Sequence, residues 1–140
     1  MKRGFLTAAV TAVLLTLSAA AASAHPLGNF TINHLSKVRI SSNRIDVQYV
    51  LDQAEIPTFE ERGTSAATVL QRKRDEAARG LRLIVDGAAV PLRPVRRGSI
   101  SFPPGQGGLK LTRVELDLSA RVSGAHSVEL RDATFADRLG

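Results

Sequence analysis

Ile45, Val47, Tyr49 and Leu51 occupy every second position of one short segment, and the same alternation recurs down the chain in pieces divided by turn residues. A period of two puts one face of each piece in a core and the other in water, which restricts the fold to paired strands. Val38 and Ile40 carry the pattern first, and Ser41-Ser42-Asn43 turns the chain into the second piece as a hairpin. Segments 81–85 and 88–92 flank Asp86-Gly87, a dipeptide that accepts positive φ in a tight turn, and should pair. Pro91 and Pro94 then mark an edge or an exit from the sheet. Further strands are expected around Ile100 and Phe102, over 109–122 and over 126–131, with a hairpin loop across the glycine-rich stretch 103–108. The apolar phase slips between Leu111 and Val114, which predicts a bulge near Thr112-Arg113.

One stretch breaks the pattern. Pro57 opposes a continuing central strand, and Asp52, Glu55, Glu60 and Glu61 read as a solvated loop. Beyond Gly63, Thr64 or Ser65 can cap a helix over about 65–79, with Ala66, Val69, Leu70 and Ala77 on one side and Gly80 as its stop. The fold class that follows is mainly β: an antiparallel immunoglobulin-like sandwich with one inserted helix.

The N-terminus sets the compartment. Lys2 and Arg3, an apolar run over 5–17, and small residues at Ala22 and Ala24 have the form of a secretion signal, so residues 1–24 are expected to be removed. That leaves 116 of the 140 residues, enough for a single domain, 25–140. Without Lys2 and Arg3, 17 basic residues face 13 acidic ones, a net charge of +4. The domain is expected in the periplasm or on the outer face of the cytoplasmic membrane. The end of the sequence, 135–140, brings no closing element, which reads as an interrupted domain.

Cysteine is absent, so disulfides and thiolate ligands are excluded, and a metal would need His, carboxylates, amides or the terminus. Cleavage after Ala24 would leave His25 first, with its α-amine and imidazole able to chelate one Cu(II) or Ni(II) ion together. His34 and His126 are the other two histidines and the other candidate ligands. No organic cofactor is expected: the glycine-rich stretch lacks the Gly-Lys step and following helix of a phosphate loop. Ser99 lacks a nucleophile elbow, and there is no thiol and no His-Glu-x-x-His, so the chain is not expected to be an enzyme.

Two basic clusters, Arg72-Lys73-Arg74 and Arg93 with Arg96 and Arg97, read as solvated faces or as contacts for anionic lipid headgroups. Nucleic acid is excluded as a partner, because export and the lack of aromatics among these residues oppose it. The mature chain has only Phe30, Tyr49, Phe59, Phe102 and Phe135 as aromatics, most of them expected in the core, which disfavours a carbohydrate platform.

The run His25-Pro26-Leu27-Gly28-Asn29-Phe30-Thr31-Ile32-Asn33-His34, then Arg44-Ile45 onward to Leu51, then Asp52-Gln53-Ala54-Glu55-Ile56-Pro57-Thr58-Phe59, resembles the extracytoplasmic N-terminal region of bacterial membrane proteins related to nickel/cobalt transporters. Gly80-Leu81-Arg82-Leu83, Asp86-Gly87 and 135–140 are similar to later parts of that region. The resemblance implies a metal-receiving, sensing or gating accessory domain whose partner is a membrane-embedded transporter portion or another membrane protein. It raises His25 and His34 as metal candidates, while His126 rests on composition. Many members carry a calcium-loop-like acidic stretch before the helix; Gly63-Thr64-Ser65 stands there instead and offers no such loop. The alternatives are a metal-free interaction module docking on a partner or membrane surface, and a free exported copper carrier.

Overall fold

A computed structural model describes residues 28–136. The hairpin of β1 (Ile32–Ile40) and β2 (Arg44–Gln53) forms as the alternation requires, in unbroken antiparallel register from Ile32 opposite Gln53 to Ile40 opposite Ile45. β2 pairs on its other side with β7 (Thr112–Arg121), which also carries β5 (Arg93–Pro94) and β6 (Ser99–Ser101). These five strands make the first sheet. The second contains β4 (Ala88–Val90), β3 (Leu81–Val85) and β8 (Val128–Asp132), in that order. All pairings are antiparallel, so the molecule is mainly β, a sandwich of two sheets with helix inserted after the second strand.

Between the sheets lie Ile45, Val47, Tyr49 and Leu51 from β2, Val114, Leu116 and Leu118 from β7, and Leu81, Leu83 and Val85 from β3. Register explains the match: Val47, Tyr49 and Leu51 stand opposite Leu118, Leu116 and Val114, so the two apolar rows share one face. Asp86 and Gly87 both take positive φ, 49° and 81°, the two-residue turn whose twist suits a hairpin.

Several expectations need correction. The acidic stretch is not a loop but a short helix, α1 (Glu55–Glu60). The strand ends at Gln53, and Pro57 sits in the first helical turn, where its missing N–H has no helical acceptor to lose. Glu55 is buried and accepts the Gln106 N–H at 2.8 Å. No bulge occurs at Thr112-Arg113: β7 starts at Thr112 with continuous register to β2, and Leu111 belongs to the preceding loop. Its apolar phase differs because it is outside the strand.

The main helix, α2 (Ala66–Gly80), starts at Ser65, whose hydroxyl accepts the Thr68 N–H at 3.2 Å. Its buried row is Val69, Lys73 and Ala77, while Ala66 is exposed. Lys73 thus leaves the expected basic cluster. Its ammonium pairs with Glu61 at 3.2 Å and lies 5.3 Å from the Phe135 ring centre, which compensates the burial. Phe30, Phe59 and Phe102 are exposed rather than in the core; Phe59 carries the Arg62 guanidinium 3.8 Å above its ring.

Candidate functional site

Among the described residues β1 is an edge strand, and its even-numbered residues face the second sheet, so His34 and Ser36 approach the end of β8. There Asp132 collects four donors. One carboxylate oxygen accepts from the His34 ring Nδ1 at 3.0 Å and from the Ser36 hydroxyl at 3.2 Å. The other accepts the Thr134 N–H at 3.0 Å and the Thr134 hydroxyl at 2.6 Å. Because that hydroxyl spends its proton on Asp132, the Tyr49 hydroxyl, 2.8 Å away and wholly buried, donates to it in turn. The protons therefore run Tyr49 to Thr134 to Asp132, with His34 and Ser36 converging on the same carboxylate.

The electrostatics follow. Burial pushes the Tyr49 phenol up to about 12, against the smaller pull of its Thr134 hydrogen bond, so it remains a donor. For Asp132, burial is the largest single influence and raises its pKa. The two Thr134 hydrogen bonds and His34 act together in the opposite sense, and the net displacement is downward. With Nδ1–H given to Asp132, the imidazole holds its Nε2 lone pair free on a ring whose side chain is 28% exposed. Such an arrangement can ligate a soft or borderline cation or accept a proton; among the described residues no nucleophile of the common hydrolytic type stands beside it.

Asp132 is consequently a stability determinant that depends on pH. Its folded pKa is depressed, so its contribution is present above the unfolded value of about 3.9 and fades as pH falls through the lower folded value. Asp132→Asn is expected to cost about 1–2 kcal/mol at pH 6 by removing a charged acceptor. Urea midpoints measured from pH 6 to pH 2 should converge for the two proteins at the acid end. Parallel curves with a constant gap would contradict this.

Of the expected metal ligands, His25 lies outside the described residues. His34 is in the network just described. His126 is elsewhere, before β8 rather than within a strand, with its backbone N–H on the Asp86 carboxylate at 3.0 Å. β8 runs extended from Val128 to Asp132, so His34, at its far end on Asp132, and His126, ahead of its start beside Asp86, stand at opposite ends of the strand. Among the described residues, no three His, Cys, Asp or Glu side chains are grouped to hold a metal ion. Asp52 bonds Arg113 through both oxygens at 3.0 Å, and Glu61 serves Gln53, Arg72 and Lys73.

Asp132, Thr134, Tyr49 and Ser36 were not candidates in the linear sequence. Asp132 is 98 residues from His34, and only the shared phase of His34, Ser36 and Val38 on β1 hinted that the histidine faced inward. The basic clusters also divide: Arg72 turns to Glu61, Arg74 to Gln71, and Arg96 to Asp117. No helix among the described residues is long and apolar enough to cross a membrane. No family model, curated protein or solved structure matches this chain.

Proposed function

We propose that this domain receives a divalent transition-metal ion on the extracytoplasmic side of a nickel/cobalt-transporter-like membrane protein, with His34 and the terminal His25 as ligands. The observation that carries the reading is the Asp132 carboxylate on His34 Nδ1 at 3.0 Å. A carboxylate in that position holds the ring in orientation and leaves the other nitrogen for a ligand, the usual support for a metal-bound histidine. The sequence resemblance across 25–59 supplies the metal class and the membrane partner. Nickel, cobalt and copper suit imidazole and amine nitrogen, and affinity is expected to rise toward copper.

The test is calorimetric titration of Ni(II), Co(II) and Cu(II) into protein shown by mass spectrometry to begin at His25. Binding is expected, reduced at least about tenfold by His34→Gln and likewise by one extra residue ahead of His25. Binding that neither change affects would refute the ligand assignment. Absence of binding for all three ions would leave the second reading, a metal-free docking module. That reading is favoured by Phe30, Val38 and Ile40, apolar residues exposed on or beside β1, an edge strand among the described residues.

A further inference from the structure

β4 and β5 lie at the edges of their sheets opposite β8 and β1, on the side away from His34, and Pro91 and Leu92 carry the chain from one to the other. The slot between them has a volume of about 390 Å³ and is walled by Ala77, Leu83, Val90, Leu92, Leu116 and Leu118. Ala78 and Ala89, both exposed, line its mouth. Three arginines, Arg74, Arg82 and Arg96, also line it. Arg96 is neutralised by Asp117. Arg74 has only the Gln71 side-chain oxygen at 3.3 Å, and Arg82 only the carbonyls of Ala78 and Leu81 at 3.4 Å. Neither has a carboxylate partner among the described residues.

An apolar slot beside two guanidiniums without counter-anions complements a molecule with a hydrocarbon body and an anionic head. Guanidinium and carboxylate make charge-assisted hydrogen bonds, and the walls remove an aliphatic chain from water. The volume lies at the low end of small-molecule sites, about 300–1,000 Å³, which suits one chain rather than a two-chain lipid. We infer that the slot binds a single-chain aliphatic carboxylate through Arg74 and Arg82. The inference is independent of the metal reading and uses none of its residues.

Dodecanoate and dodecyltrimethylammonium share a chain and differ in the sign of the head, so calorimetric titration of each, below its micelle concentration, separates the two contributions. Dodecanoate is expected to bind one to one and at least about tenfold more tightly than the cation. Arg74→Gln with Arg82→Gln should abolish that preference. Ala78→Phe, at an exposed helix position, should block both ligands without lowering the melting temperature. Equal affinity for the two amphiphiles, no binding of dodecanoate, or unchanged binding in Ala78→Phe would each overturn the inference. Sedimentation with phosphatidylglycerol vesicles without binding of free dodecanoate would do so too, transferring the arginines to a membrane headgroup.

Discussion

Tyr49→Ala is expected to destabilise the domain by about 3–5 kcal/mol, the range for emptying a large aromatic site in a packed core. Tyr49 is fully buried, stands opposite Leu116 on β7, and is the one aromatic wholly inside the sandwich among the described residues. No other large side chain is free to collapse into its place, because its neighbours on β2, Val47 and Leu51, are themselves buried and held by strand register. Tyr49→Phe separates the ring from the hydroxyl. It keeps the packing and removes only the proton given to Thr134, so about 1 kcal/mol should be lost. Denaturant midpoints for the two variants measure both quantities. A cost below about 1 kcal/mol for Tyr49→Ala would mean that the sandwich core does not depend on this ring. The hydroxyl also predicts an alkaline signature. A raised folded pKa means that the contribution is complete below the unfolded value of about 10 and is lost as pH rises through about 12. Tyr49→Phe should remove that step.

The strands were legible because their information is local. Ile45, Val47, Tyr49 and Leu51 announce their buried face within seven residues, and Asp86-Gly87 announces its turn within two. Elements whose state depends on a distant partner were misread. Lys73 looks like part of a basic surface run until Glu61, twelve residues earlier, is brought to its ammonium. Glu55 looks like solvated loop until the Gln106 N–H meets its carboxylate across 51 residues. Pro57 opposes a continuing strand, but a proline in the first turn of a helix satisfies the same requirement. The candidate site shows the same division. His34 was legible as a residue type in a motif, whereas the proton chain that orients it needs Asp132 and Thr134, which only the meeting of β1 with the end of β8 supplies.

Gly80 brings these threads to a testable point, because two physical arguments give opposite signs for Gly80→Ala. It is the last residue of α2 and, unlike Gly87 or Gly124, does not take positive φ. Helix propensity alone therefore favours alanine by about 1 kcal/mol. Packing says otherwise. A methyl group there would stand 2.5 Å from Thr134 Cγ2, 2.7 Å from its backbone nitrogen and 2.8 Å from its Cα. Rotating the threonine side chain relieves only the first of these; the other two require the backbone to move. That backbone is anchored, because Ala133 N–H donates to the Gly80 carbonyl at 3.1 Å and Thr134 N–H donates to Asp132. The close approach should win, giving a net loss of about 1–3 kcal/mol by thermal or urea denaturation. The expected stop signal at Gly80 thus has a different cause: absence of a side chain where the helix end meets the segment after β8. Since Thr134 is the joint between Tyr49 and Asp132, Gly80→Ala should also shift the His34 imidazole resonances, which a purely local helix effect would leave unchanged. A stabilised variant with unchanged His34 resonances would show that helix and hub are not in contact.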